Sequence, residues 1–101
     1  METHRSDIVS SLHGRDAGGL YLVVGEEDKF LFIANGRDRR AERPKKKNRL
    51  HVRHEGTYDG VLRAKLLETG RLTNSDIRNA LAQWAGEQQP LDKGGKTNGK
   101  R

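Results

Sequence analysis

The sequence predicts a mainly β fold: a small barrel of short strands, followed by two short α-helices and a flexible basic tail. Three observations lead to this prediction. Short apolar runs with alternating or β-branched residues recur over residues 7–53, separated by tight turns. The apolar spacing changes to a helical period over residues 60–84. Residues 86–101 hold four glycines, one proline and few apolar side chains, which is typical of a flexible tail.

Composition limits the class of protein further. The chain has 101 residues and no cysteine, so we expect no disulfide framework, thiolate metal site or cysteine nucleophile. Leu, Ile, Val and Phe make up about a fifth of the chain, just above the level at which disorder is expected. No apolar run approaches the roughly 18 residues of a transmembrane helix, and the N-terminus shows no apolar core of a secretory signal. We therefore expect a cytoplasmic protein with one small core and no membrane partner.

The predicted strands lie in the first half of the chain, where residues 7–54 form the predicted barrel. They cover residues 7–12, 20–24, 29–34 and 50–53. Asn35-Gly36 is a strong hairpin-turn signal, so residues 37–42 could return as a further strand before Pro44 interrupts it. Residues 1–6, which precede the barrel, are predicted to be disordered.

The second half predicts a helical hairpin over residues 55–85. The first helix covers residues 60–69 and ends at Gly70, a suitable C-cap. The second covers residues 72–84, with Ile77, Ala80, Leu81 and Trp84 on one face. Thr73 is the predicted N-cap, Asp76 favours the helix dipole, and Leu72 with Ile77 forms a hydrophobic staple.

The positive charge is concentrated in one segment. The formal net charge is +6. Residues 35–54 hold nine Lys or Arg against two acids, a net charge of +7, so the rest of the chain carries −1. Such a segment attracts polyanions, and counterion release makes a phosphate backbone its natural partner. A solvated basic face that only keeps the protein soluble is the alternative.

The order of several motifs resembles the KOW-motif RNA-binding proteins. It is most similar to short bacterial proteins related to large-subunit ribosomal proteins of archaea and eukaryotes. The resemblance covers residues 7–53 and rests on the Gly14-Arg15-Asp16-x-Gly18 loop, the LYLVV strand, the Asn35-Gly36-Arg37 turn and the block at residues 43–47. The sequence departs from the family at Ala17, where such proteins often carry Lys.

The resemblance implies an SH3-like barrel that binds ribosomal RNA of the large subunit, often alongside ribosomal proteins. Glycines at positions 14, 18 and 19 would let backbone N–H groups approach a phosphate; a plain strand-connecting turn is the alternative. The predicted RNA-binding side chains are all cationic: Arg15, Arg37, Arg39, Arg40, Arg43, Lys45, Lys46, Lys47, Arg49 and Arg53.

Aromatic side chains are few, which favours recognition of folded RNA by shape and backbone over base stacking. Phe30 and Phe32 are expected in the core, and Trp84 in helix packing. Tyr58, between two glycines, is the one aromatic expected to be exposed.

Catalysis is not expected, and neither is a cofactor or a metal. The spacing Gly14-x-x-x-x-Gly19 lacks the Lys-Ser/Thr of a P-loop. Ser10, Ser11, His13 and Asp16 are the residue types of a Ser-His-Asp catalytic triad. Their closeness in sequence does not indicate the geometry that a triad needs. His51 and His54 lack further ligands at suitable spacing.

Two other functions stay open. Residues 61–85 have roughly the proportions of a DNA-binding helix-turn-helix, although Arg78 is the only cation of the second helix. Alternatively, the chain is a protein-interaction adaptor whose basic segment meets an acidic partner.

Overall fold

The protein is a five-stranded antiparallel sheet followed by two helices. The structure, a computed structural model, describes residues 3–14 and 18–88. The strands are β1 (Asp7–Ser11), β2 (Leu20–Glu26), β3 (Phe30–Ala34), β4 (Lys45–Asn48) and β5 (Val52–Thr57). The helices are α1 (Leu62–Thr69) and α2 (Asn74–Gln88). The strand order is β4-β3-β2-β1-β5, and every neighbouring pair is antiparallel.

The sheet does not close into the predicted barrel. β4 and β5 are its two edge strands and do not pair with each other in the described part of the chain. A 3₁₀ turn, Arg49–His51, separates them where the sequence predicts a strand from residue 50. The Asn48 side chain caps this turn by accepting from the Leu50 N–H at 2.8 Å. Leu50 is consequently 82% exposed instead of lying in a strand.

Both faces of the sheet bury apolar side chains. Alternate residues of a strand point to opposite faces, so Leu22 lies in one cluster while its neighbours Tyr21 and Val23 lie in the other. The helices cover the first cluster: Ile8, Leu22, Ala34, Tyr58, Leu66, Leu72, Ile77, Ala80 and Trp84. The second cluster is Val9, Tyr21, Val23, Leu31 and Ile33, with Val52 packed against it. The helices therefore account for the burial of the first cluster only, and the second cluster is buried on the opposite face of the sheet.

The predicted strand over residues 37–42 is wrong. Those residues form turns, and the fourth strand is the lysine segment itself. The reason is local hydrogen bonding: the Asn35 side-chain oxygen accepts from the N–H groups of Arg37 at 2.9 Å and Arg39 at 3.0 Å. Asn and Asp side chains stabilise turns in this way. The chain therefore continues as turns after Gly36, and the next strand does not begin until Lys45.

The turn segment, residues 35–44, docks on α2. The Ala41 N–H donates to the Asn74 side-chain oxygen at 2.7 Å. The Arg78 guanidinium donates to the Gly36 carbonyl at 2.6 Å. The loop that follows β3 is thus attached to the first two turns of the second helix.

The helix ends follow the sequence signals. Gly70 adopts the left-handed conformation with φ of 71°, and its N–H donates to the Leu66 carbonyl. At the start of α2, the Asp76 N–H donates to Thr73 Oγ1 at 3.0 Å and the Thr73 N–H donates to Asp76 Oδ2 at 3.1 Å. This reciprocal pair is a capping box, which agrees with the predicted N-cap. Leu72 and Ile77 are both buried in the first cluster.

Two segments differ from the predicted organisation. Residues 3–6 pack on the sheet instead of being disordered, because Ser6 is fully buried and its hydroxyl donates to the Tyr58 carbonyl at 2.6 Å. α2 continues to Gln88, beyond the predicted boundary at residue 85. The rest of the predicted tail lies outside the described residues.

The aromatic residues are used mostly inside the fold. Trp84 is 9% exposed and packs over Gly56, where an added Cβ would lie 2.8 Å from its ring. Tyr58 is 3% exposed and its hydroxyl donates to Gln83 at 2.7 Å, so the prediction that it is exposed is wrong. Phe30 and Phe32 are half-buried.

Candidate nucleic-acid interface

The glycine loop between β1 and β2 is partly described. Gly14 and Gly18 have φ values of 81° and 87°, which favour glycine. The Gly18 N–H donates to the Ser11 carbonyl at 2.9 Å. That donor is therefore engaged within the loop and is not available to a phosphate. The predicted contact Arg15 lies outside the described residues, as do positions 16 and 17.

Lys47 faces the interior instead of solvent. Its side chain is on the same face as Leu31, its partner in the register between β3 and β4, and the residue is 8% exposed. Its Nζ donates to the His13 carbonyl at 2.9 Å. The alkyl chain of a buried lysine covers apolar surface, and here the ammonium also fixes the start of the glycine loop. This predicted RNA contact is therefore a structural cation.

Arg49 is the second structural cation of the basic segment. Its guanidinium donates to the carbonyls of Thr3 at 2.6 Å, Glu27 at 2.9 Å and Asp28 at 2.9 Å. It also lies 3.7 Å from the Glu26 carboxylate. An arginine guanidinium is planar and carries five N–H donors, so it can bond to several carbonyl oxygens at once. Arg49 thus ties the N-terminal segment to the turn between β2 and β3.

Glu26 takes part in the same cluster. Its partial burial opposes ionisation, but the His4 and Arg5 hydrogen bonds and the Arg49 charge outweigh it and lower its pKa. The carboxylate accepts from His4 Nδ1 at 3.0 Å and from the Arg5 N–H at 2.9 Å. An ionised Glu26 therefore helps to hold Arg49 in place.

Three predicted contacts have side chains without a partner among the described residues. The side chains of Arg37, Arg43 and Lys45 make no hydrogen bond or ion pair with any described residue. The two arginines are exposed and Lys45 is half-buried. They belong to the turn segment and the first position of β4. A polyanion could bind them without first breaking an internal contact.

Two further cations on this surface have only weak partners. Arg40 lies 3.3 Å from Glu42, with both side chains mostly exposed. Lys46 lies 3.9 Å from Glu27 and 4.5 Å from the centre of the Phe30 ring. Exposed pairs of this kind contribute about 0–1 kcal/mol, so phosphate oxygens can replace them. We call Arg37, Arg40, Arg43, Lys45 and Lys46 the basic surface.

The other predicted contacts do not join this surface in the same way. Arg39 is half-buried and has partners of its own. Arg53 lies on β5, the opposite edge of the sheet, 3.7 Å from Glu55. The structure therefore divides the basic segment of the sequence into the basic surface, the structural cations Lys47 and Arg49, the half-buried Arg39, and Arg53 at the opposite edge of the sheet.

Acidic side chains beside the basic surface are held ionised. The Asn74 hydrogen bond, followed by contacts that include the Arg40 charge, lowers the pKa of Glu42. The Asn35 hydrogen bond is the largest contribution to a lowered pKa at Asp38. Both groups reduce the local positive potential, and neither pairs with Arg37, Arg43 or Lys45.

The histidines and the two serines of β1 make local contacts within residues 3–14 and 18–88. The His13 and His51 rings meet edge to face at 5.0 Å, and His54 Nε2 lies 3.3 Å from Asp7. Ser10 and Ser11 donate to the Glu55 carboxylate and the His13 carbonyl. No group of three potential metal ligands is present among these residues.

α2 does not expose its cation as a recognition helix would. Arg78 donates to the Gly36 carbonyl and to Ser75 Oγ at 3.1 Å. Ile77, Ala80 and Trp84 are turned into the first cluster. These side chains of α2 therefore pack on the sheet or bond to the turn segment.

A cleft next to the basic surface is not predicted by the sequence. It has a volume of about 600 Å³ and lies between β2, β3, the turn segment and the α1–α2 connection. Its lining comes from four separate parts of the chain: Val24, Gly25, Phe32, Ala41, Glu42, Pro44, Gly70, Arg71, Leu72, Thr73 and Asn74. No local sequence pattern brings these four parts of the chain together.

Comparisons with known proteins give no family. No protein-family model matches the sequence, and no curated protein matches it. In the part of the chain that the structure describes, no helix is both long and apolar enough to cross a bilayer.

Proposed function

We propose that this protein binds RNA through the basic surface, and that its target is ribosomal RNA of the large subunit. The observation that carries the proposal is the set of cations at Arg37, Arg43 and Lys45 on the turn segment and β4, whose side chains have no partner among the described residues. Two kinds of attachment hold them in place. The turn segment is hydrogen-bonded to α2, and β4 is paired with β3.

The ribosomal target rests on the resemblance to KOW-motif proteins. Its support is the order of the Gly14–Gly18 loop, the LYLVV strand, the Asn35-Gly36 turn and the basic block. We propose that the open sheet is a form of the SH3-like fold of that family. Five antiparallel strands with a 3₁₀ turn before the fifth are compatible with this assignment. The role is binding within a ribonucleoprotein in the cytoplasm, with neighbouring ribosomal proteins as further partners and with no catalytic step.

The chemistry of the basic surface favours phosphate contacts over sequence reading. Arg forms forked hydrogen bonds to phosphate, while Lys acts as a point charge. Phosphate contacts position a protein on nucleic acid without reading its sequence. If about five phosphates are neutralised, log K falls against log salt with a slope of about −4.

A protein-interaction adaptor and a helix-turn-helix DNA binder are the competing functions. The adaptor would use the same cations on an acidic protein. The DNA binder would use α2, whose single cation is engaged by Gly36 and Ser75. The internal use of Arg78 makes us favour RNA over the helix-turn-helix function.

Charge reversal on the basic surface tests the proposal. The double variant Arg43→Glu/Lys45→Glu should bind purified large-subunit ribosomal RNA at least tenfold more weakly than the unchanged chain in a filter-binding assay. The matched control is Arg5→Glu/Lys29→Glu, which makes the same change in net charge away from the basic surface. Equal loss in both variants would mean that only net charge matters, and no loss in either would contradict the proposal.

A further inference from the structure

The cleft beside the basic surface has the size and walls of a ligand site. Its volume of about 600 Å³ lies in the range of small-molecule sites, roughly 300–1,000 Å³. Much of its wall is apolar, with Phe32, Pro44 and Leu72 among the lining residues. Phe32 is half-buried and its ring lies over Gly25, where an added Cβ would be 3.3 Å away. The cleft therefore offers an aromatic ring in an apolar setting.

Polar groups converge on one side of the cleft. Asn74 Nδ2 donates to Glu42 Oε1 at 2.7 Å, and Asn74 Oδ1 accepts from the Ala41 N–H. These bonds fix both side chains. A carboxylate has about four acceptor sites, and Glu42 uses some of them for Asn74 and Arg40. Acceptor capacity remains for a ligand that carries N–H donors.

Two exposed cations lie beside the same cleft. Arg71 lines it and is exposed, and its side chain has no hydrogen bond or ion pair with a described residue. Arg43 precedes Pro44, another lining residue, and its side chain is likewise without a partner among the described residues. An apolar slot with cations around it is complementary to a nucleotide, whose base is flat and whose phosphate is negative.

We infer that the cleft takes one unpaired nucleobase of the bound RNA, with its flanking phosphates held by Arg43 and Arg71. The base would stack near Phe32 and offer an amino group to Glu42. Guanine presents two neighbouring N–H donors and uracil has no amino group, so guanine should be preferred over uracil. This inference rests on the proposed function and adds base recognition to phosphate binding.

Two RNA hairpins test the inference. They are identical except that one carries a single unpaired guanosine in its stem. The unchanged protein should bind the bulged hairpin about tenfold more tightly, as expected for one stacked base. Ala41→Phe, which fills the cleft, should abolish the preference, so that the two hairpins bind equally. Ala64→Phe, an equally large change at an exposed position of α1, is the matched control and should keep the preference.

A second variant, Phe32→Leu, keeps the test decisive if Ala41→Phe does not fold. Phe32→Leu removes the ring but keeps an apolar side chain on β3, and it should also lose the preference. Amide spectra of the full chain should show shifts at Ala41, Leu72 and Asn74 on titration with guanosine 5′-monophosphate, and smaller shifts with uridine 5′-monophosphate. Ribose 5-phosphate should leave these amides unshifted.

The outcomes separate this inference from the proposed function. Equal binding of both hairpins, with the salt dependence intact, would overturn the base site and leave RNA binding standing. Failure to bind either hairpin, or large-subunit ribosomal RNA, would overturn the proposed function. Cleft shifts caused by an acidic peptide and not by guanosine 5′-monophosphate would assign the cleft to a protein partner and would also overturn the inference.

Discussion

Lys45 and Lys47 lie two positions apart in β4 but have different roles. Lys47 is buried and bonded to the His13 carbonyl, whereas Lys45 is unpaired among the described residues. The sequence shows only three consecutive lysines, so it could not distinguish them. The register with β3 places both lysines on the face of the second cluster, Lys45 opposite Ile33 and Lys47 opposite Leu31. What distinguishes them is the partner of Lys47, the His13 carbonyl.

Substitution of the two lysines should separate stability from binding. Lys47→Met loses a charge-assisted hydrogen bond, so we expect the free energy of unfolding to fall by about 1–3 kcal/mol. Lys45→Met should leave that free energy within about 0.5 kcal/mol and weaken RNA binding. Urea unfolding measures the first effect and filter binding the second. Equal stability of the two variants would contradict the structural role of Lys47.

Asp76 should make the fold sensitive to acid. Its carboxylate accepts from Lys65 at 2.8 Å and from the Thr73 N–H, and these bonds hold its pKa below the ordinary value of 3.8. A carboxyl with a lowered folded-state pKa stabilises the fold above its unfolded-state pKa. That stabilisation is lost as the pH falls through the folded-state value.

The variant Asp76→Asn tests this dependence. At pH 7 it should unfold more easily by about 1 kcal/mol, because the capping box and the dipole interaction weaken. The difference from the unchanged protein should shrink as the pH falls below 3.8. Urea unfolding at several pH values measures it. A difference that stays constant into acid would mean that the Asp76 charge plays no part.

At the scale of elements, the turn segment positions the proposed site. Its contact with α2 depends on Gly36, which has φ of 77° and would place an added Cβ 2.5 Å from the Asn74 carbonyl oxygen. Gly70 has a similar φ of 71°, but an added Cβ there would meet nothing within 4 Å. The two glycines share backbone strain and differ in available space.

Alanine at these two glycines should therefore have unequal effects. Gly70→Ala should lower the free energy of unfolding by about 1 kcal/mol, the cost of left-handed backbone for a non-glycine residue. Gly36→Ala should lower it by at least about 2 kcal/mol, because the clash is added to the strain. It should also weaken RNA binding by displacing Arg37 and Arg43. Thermal unfolding of both variants checks the order, and equal losses would contradict the docked turn.

Local signals predicted the helices better than the last strands. The Thr73–Asp76 capping box and the Gly70 C-cap act within a few residues, so sequence reasoning could place them. The position of β4 could not be predicted, because it depends on the Asn35 side chain bonding to Arg37 and Arg39 and on α2 holding residue 41. The cleft was beyond prediction for the same reason, since its walls come from four segments distant in sequence.

At the scale of the whole molecule, the charge of the sequence is reorganised by the fold. Arg49 and Lys47 are withdrawn into structural contacts, and Arg53 is carried to the other edge of the sheet. The basic surface therefore has fewer cations than the basic segment of the sequence. These cations are held in place by the hydrogen-bonded turn segment and by the pairing of β4 with β3. Electrostatic binding through this surface should be strongly salt-dependent.

The most direct measurement of the central claim is sedimentation of the tagged full-length chain with ribosomal particles through sucrose gradients at low and high salt. We expect the chain to travel with the large subunit at low salt and to be released as salt rises. The folded Arg43→Glu/Lys45→Glu variant should stay at the top of the gradient at both salt concentrations. An unchanged chain that remains at the top at every salt concentration would contradict the claim, as would comigration unaffected by salt and charge reversal.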